Sequence, residues 1–227
     1  VHTETGAVHF ITVTLTVTPK PEEPQQEADA ALSGVLAAIT GTNPFSDVPG
    51  GAYYNAAVRW AVKNGIASGT DAKHFSPDAA CTRGQAVTFL WRAAGSPAPK
   101  SAVNPFKDIN ANDYYYPAVL WAAENGIVNG VSDTAFAPNQ ALTREQMAAI
   151  LYRYAEYKGA DLSASADLSG YTDAGQIATY AQAAMAWSTG TGLITGTSDT
   201  TLSPRGTATR AQVATILQRM SDLFAQA

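Results

Sequence analysis

The sequence predicts an all-α domain in which three copies of one two-helix unit assemble around a central helical bundle. Three observations lead there. A Thr-Arg-x-Gln element occurs three times, at 81–85 (CTRGQ), 142–146 (LTREQ) and 208–212 (ATRAQ). Positions elsewhere match at an offset of 61 residues and then of 65 to 66: Phe45/Phe106, Tyr53/Tyr114/Tyr180, Trp60/Trp121/Trp187, Gly69/Gly130/Gly196 and Pro77/Pro138/Pro204. Each Thr-Arg-x-Gln element opens an apolar stripe of helical period. The stripes are Ala86, Phe89, Leu90, Ala93; Met147, Ile150, Leu151, Tyr154; and Val213, Ile216, Leu217, Met220.

Taken in order, residues 1–18 contain an alternating run. Ile11, Val13, Leu15 and Val17 share one face and Thr12, Thr14 and Thr16 the other, which predicts a β-strand. A lone strand is unstable, so this segment reads as the end of a preceding β domain and as a candidate for self-association. Residues 19–42 form an acidic Pro-rich linker and a short Ala-rich helix over 28–39. The three repeats follow at 43–99, 100–160 and 161–227. In each, a turn with Asp47, Asp108 or Asp173 precedes a helix carrying Tyr and Trp seven residues apart. A Gly ends that helix, and a loop then leads to Phe75-Ser76-Pro77, Phe136-Ala137-Pro138 or Leu202-Ser203-Pro204. Thr82/Gln85, Thr143/Gln146 and Thr209/Gln212 make capping boxes that start the second helix. The third repeat has an extra residue and a Ser/Thr/Gly-rich first helix, so it is expected to be the least regular.

Arg83, Arg144 and Arg210 are unexplained by this logic. A cation in the first helical turn opposes the macrodipole, so three such residues point either to a bound anion or to pairing with Asp47, Asp108 or Asp173.

Composition narrows the function classes. The chain has 227 residues, 46% hydrophobic and 15% charged, with a net charge of −5. No basic footprint for nucleic acid stands out, and no apolar run has the length of a membrane span. No leader of signal-peptide type is visible. One Cys and three His offer no metal cluster, and no Ser-His-Asp arrangement or distinctive carboxylate pair marks a catalytic centre. The sequence therefore reads as a binding module and not an enzyme, with no cofactor.

The F-x-D start, the Tyr…Trp…Gly-Ile…Gly block, F-x-P and the T-R-x-Q element, three times over residues 43–224, resemble the S-layer homology (SLH) repeat. The resemblance implies a pseudo-threefold, three-pronged spindle on a central three-helix bundle. It further implies grooves that bind secondary cell-wall polysaccharide, commonly pyruvylated, and so anchor an exported protein at the bacterial surface. The competing reading is a self-assembly module that makes protein–protein contacts in a surface layer. One departure stands out: the family motif usually ends in Glu, where this chain has Gln85, Gln146 and Gln212.

On that reading, a pyruvate carboxylate would meet free amides at the helix N-terminus and the Arg83, Arg144 or Arg210 fork. Replacing these arginines by Ala should then abolish binding and spare the fold. Trp60, Trp121 and Trp187 are candidates for stacking on sugar or for core packing. Tyr53, Tyr114 and Tyr180 favour packing. Gly69, Gly130 and Gly196 serve turns or close ligand approach. Asp47, Asp108 and Asp173 would cap the first helix or accept sugar hydroxyls.

Overall fold

The computed structural model describes residues 44–226. The strand expected within 1–18 and the linker and helix of 19–42 lie outside the described residues. Six α-helices are present among them: α1 (Asn55–Lys63), α2 (Arg83–Ala93), α3 (Tyr116–Glu124), α4 (Arg144–Tyr157), α5 (Gln182–Gly190) and α6 (Arg210–Ala225). The even-numbered helices begin at the three predicted capping boxes, all of which form. Thr82, Thr143 and Thr209 accept from the backbone N–H groups of Gln85, Gln146 and Gln212, whose side chains accept in return. Gly65, Gly126 and Gly192 follow the odd-numbered helices with φ of +66°, +69° and +73°, the left-handed end that an L side chain resists.

The apolar stripes are buried as expected, except that Ala93, the last residue of α2, is exposed. The helices do not pair within a repeat as a simple hairpin would. Instead α2 packs on α3, α4 on α5, and α6 returns to pack on α1. The third repeat thus closes onto the first. A ring of backbone hydrogen bonds marks the closure. Cys81 donates to Ala208, Ala208 to Leu142, and Leu142 to Cys81, at 2.9, 2.8 and 2.9 Å. Short antiparallel pairings flank it: Ala80 with Thr209, Thr82 with Ala141, and Thr143 with Thr207. Cys81 is fully buried at this ring, and burial pushes its thiol up to about 12, so it behaves as a small hydrophobe.

The third repeat is the irregular one. Its first helix is preceded by two 3₁₀ turns, Ala174–Gln176 and Thr179–Ala181. The buried hydroxyls of Ser188 and Thr189 on α5 lack hydrogen-bond partners, an uncompensated desolvation cost of the kind buried polar groups normally avoid.

Trp121 and Trp187 are core residues, 2% and 1% exposed, and Trp60 is half-buried against the same core. The core reading therefore holds in the geometry of Trp121 and Trp187, while Trp60 stays at the core's edge. Trp187 meets the ring of Tyr152 edge-on at 5.7 Å, joining the third repeat to the second. Trp121 meets Tyr154 and Tyr157 at 6.3 and 6.0 Å.

Candidate functional site

The three arginines occupy the seams between repeats. Arg83 donates from Nε to the carbonyl of Phe136 and from Nη2 to that of Asn129, both at 2.9 Å. Arg144 does the same to Leu202 and Thr195, at 2.8 and 2.6 Å, and Arg210 to Phe75 and Ser68, at 2.9 and 2.7 Å. Each side chain is 4–6% exposed. Burial lowers each guanidinium pKa, yet an arginine remains charged at any working pH. Their fixed partners are therefore carbonyls of the next repeat and not Asp47, Asp108 or Asp173.

The aspartates tie each repeat to itself. Asp47 accepts from the backbone N–H groups of Phe75 and Ser76, Asp108 from Phe136 and Ala137, and Asp173 from Leu202 and Ser203. They do not cap the first helices, whose N-cap residues Tyr54, Tyr115 and Ala181 make no side-chain cap. Their role is to hold the middle residue of each F-x-P-type segment. Ser76, Ala137 and Ser203 stand in the left-handed region at φ of 56°, 57° and 51°, a conformation that costs an L residue about 1–2 kcal/mol.

Burial raises the Asp173 carboxyl, but the amides of Leu202 and Ser203 outweigh it, and its pKa lies below the ordinary carboxylate value. A depressed native pKa gives stability that is present above the unfolded value of about 3.9 and lost as pH falls through the native one. Asp173→Asn should therefore lower the urea midpoint at pH 7, and the gap from wild type should shrink at about pH 3. An equal gap at both pH values would show that the charge contributes nothing.

The helix N-termini are not open to an anion. The first-turn amides of α2 donate from Arg83 to Gln140, from Gly84 to Pro138 and from Gln85 to Thr82. Equivalent bonds occupy α4, from Arg144 to Gly206 and Glu145 to Pro204, and α6, from Arg210 to Ala79 and Ala211 to Pro77. The free amides expected from sequence are consumed by the segment after the F-x-P turn of the adjacent repeat.

Two clefts nevertheless open beside the arginines. One, of about 380 Å³, is lined by Arg83 from the first repeat, by Asn129, Gly130, Val131, Gln146, Ala149, Ile150 and Arg153 from the second, and by Tyr180 from the third. The other, of about 300 Å³, is lined by Arg144 from the second repeat, by Thr195, Gly196, Thr197, Gln212, Thr215, Ile216 and Arg219 from the third, and by Tyr53 from the first. All three repeats contribute to each cleft. Neither lining contains an Asp or Glu. Tyr53 and Tyr180 are 67% and 53% exposed, so they are cleft walls more than core residues. At the third seam Phe89 stands where Ile150 and Ile216 stand in the clefts, and its ring lies 5.4 Å from the Arg210 guanidinium.

The glycines serve tight turns, and two of them also lie at the clefts. Gly130 and Gly196 line the clefts, and a Cβ on Gly130 would meet the carbonyl oxygens of Ser132 and Ala135 at under 3.0 Å. The same crowding holds at Gly69. The glutamines gain a second role as well. With Oε1 of Gln146 and Gln212 accepting the cap hydrogen bond, Nε2 remains a donor beside the cleft. A Glu would cap equally well but place a negative charge there.

Sequence reasoning missed a second basic residue. Arg153 and Arg219 lie seven residues beyond Gln146 and Gln212, two helical turns along the same face. Arg92 is their counterpart in the first repeat, so the repeat offset itself was the signal. Glu145 was also missed. It is 7% exposed and accepts from the Ala178 N–H at 2.9 Å, with the Tyr180 hydroxyl at 3.5 Å. Its counterpart Gly84 has no such room, since a Cβ there would meet the Tyr115 ring at 2.9 Å. The third repeat has Ala181 in place of Tyr115, which leaves space for the Glu145 side chain.

A closed ring of three helical repeats with basic clefts at its seams is a repeat-built binding module. The family model of the S-layer homology domain matches residues 44–87, 105–148 and 170–214. The chain belongs to this family. It is 34% identical over 177 residues to an endoglucanase of Bacillus sp. (strain KSM-635), covering 78% of this chain and 18% of that protein. It is 33% identical over 187 residues to the surface-layer 125 kDa protein of Lysinibacillus sphaericus, covering 81% and 15%. A cellulosome-anchoring protein of Acetivibrio thermocellus is 24% identical over 154 residues, covering 64% and 33%. The chain thus spans less than a fifth of the first two relatives. Family membership places it with proteins of the bacterial cell surface. No helix among the described residues is long and apolar enough to cross a membrane.

Proposed function

We propose that this domain anchors its protein non-covalently to the bacterial cell wall by binding an anionic secondary cell-wall polysaccharide, pyruvylated on its sugars, in the inter-repeat clefts. The observation that carries the reading is the pairing of two guanidinium groups with no carboxylate in each lining: Arg83 with Arg153, and Arg144 with Arg219. A sugar-borne carboxylate complements such a site, and a tyrosine on the facing wall suits an amphipathic sugar ring. Nη2 and Nε of the seam arginine are engaged by the protein, and Nη1 of Arg219 reaches the carbonyls of Gly192 and Leu193 at 3.3 Å, which leaves Nη1 of the seam arginine, the remaining nitrogens of the second arginine and the Gln amide as donors for the ligand. The domain acts as a binding module, and any catalysis would belong to other parts of its protein.

Arg153 and Arg219 provide the test, because neither clamps a seam between repeats. Arg153→Ala combined with Arg219→Ala should weaken binding to purified wall polysaccharide by roughly 10- to 100-fold, the range for losing hydrogen bonds to a charged group. The melting temperature should stay within about 2 °C, as for a surface substitution. Enzymatic or acid removal of the pyruvyl groups should weaken wild type to a similar degree. Equal binding by wild type and the double variant would reject the cleft as the site. Self-association in sedimentation with no polysaccharide binding would favour the self-assembly reading.

A further inference from the structure

The two clefts differ in a correlated way. In the first and third repeats the loop carries a pair of bonded hydroxyls, Thr70 with Ser76 at 2.6 Å and Thr197 with Ser203 at 2.8 Å. In the second repeat the same two positions are Val131 and Ala137. Both members of the pair are exchanged together, which avoids leaving one hydroxyl without its partner. The neighbouring helix follows suit: Thr215 lines the Arg144 cleft, and Ala149 takes that place in the Arg83 cleft. Val131 is 51% exposed, so its branched side chain is not committed to the core.

We infer that the Arg83 cleft is selective for a methyl-bearing anion, taking a ketal whose carboxylate meets Arg83 and Arg153 and whose geminal methyl packs on Val131 and Ala149, whereas the Arg144 cleft is indifferent to that methyl. This deepens the proposed function and rests on it. The charge pattern is shared by the two clefts, so the carboxylate alone does not distinguish them. The apolar wall does, because a methyl group gains by leaving water only where the surface it meets is apolar. Hydroxyls at the equivalent wall of the Arg144 cleft keep water as a competitor. A polymer with mixed substituents would then occupy the two clefts with different units.

The test uses the full chain and two synthetic probes: a methyl hexopyranoside carrying a pyruvate ketal, and its counterpart carrying a glyoxylate acetal, which lacks only the methyl. Amide NMR titration reads the clefts separately, through Gly130 and Gly196. The ketal should bind about fourfold more tightly than the acetal at Gly130, the effect of burying one methyl-sized group. At Gly196 the two probes should bind alike. Val131→Thr with Ala137→Ser restores the hydroxyl pair of the other repeats and should abolish the preference. Thr197→Val with Ser203→Ala should install it in the Arg144 cleft. The same preference in both clefts, or a preference that survives the first double variant, overturns the inference while leaving polysaccharide binding intact. Failure of both probes and of the polysaccharide to shift either glycine overturns the proposed function and this inference with it.

Discussion

Arg210→Ala should destabilise the entire domain by about 2–5 kcal/mol, the cost of leaving one buried and one part-buried carbonyl without their charged donor. The Ser68 and Phe75 carbonyls both belong to the first repeat, while Arg210 opens the last helix, so the loss falls on the seam that closes the ring. The guanidinium also lies over the Phe75 ring at 4.8 Å and near Phe89, contacts worth roughly 0.5–2 kcal/mol more when desolvated. Arg210→Lys should recover only part of this, since one ammonium is a point donor and not a planar fork that serves two carbonyls. Urea denaturation followed by far-UV circular dichroism measures the effect. An unchanged midpoint in Arg210→Ala would mean that the seam is held by apolar packing alone. This expectation replaces the one drawn from sequence, in which alanine at the three arginines removes binding and spares the fold.

Trp187→Ala should cost about 3–5 kcal/mol, as for other fully buried aromatic truncations. The indole is 1% exposed, packs edge-on against Tyr152 of the preceding repeat, and points Nε1 at the Asp161 carbonyl, 3.4 Å away. The form of the transition is as informative as its midpoint. In an open array, damage to one repeat leaves its distant neighbours standing. Here the second helix of each repeat packs on the first helix of the next and the last returns to the first, so unfolding should remain a single transition shifted to lower temperature. A two-step melt, with part of the helix signal surviving at the wild-type midpoint, would contradict this coupling.

The repeat register, the helix starts and the buried apolar stripes were legible because they depend on local chemistry. Thr143 and Gln146 recognise each other three residues apart, and Met147, Ile150 and Leu151 share a face by helical period alone. What Arg144 does was not legible. Its partners are the carbonyls of Leu202 and Thr195, more than fifty residues away, and a backbone carbonyl leaves no trace in residue identity. The same blindness hid the occupancy of the helix N-termini, because the acceptors Pro138, Gln140, Pro204 and Gly206 are again backbone groups of another repeat. Asp173 was placed in the right turn, but the amides it accepts from belong to residues about thirty positions later, which no local pattern reveals. Arg153 and Arg219 are a different case. Their spacing from Gln146 and Gln212 was visible, and attention to the Thr-Arg-x-Gln element alone passed over them.

The ring of three hydrogen bonds through Cys81, Leu142 and Ala208 has a mechanical consequence. A load applied to the first repeat would pull on the repeat that supplies Arg83 to one cleft and Tyr53 to the other. Peeling it away would therefore dismantle both clefts at once. Attachment should fail abruptly at a threshold force, with no graded slackening as repeats detach one after another.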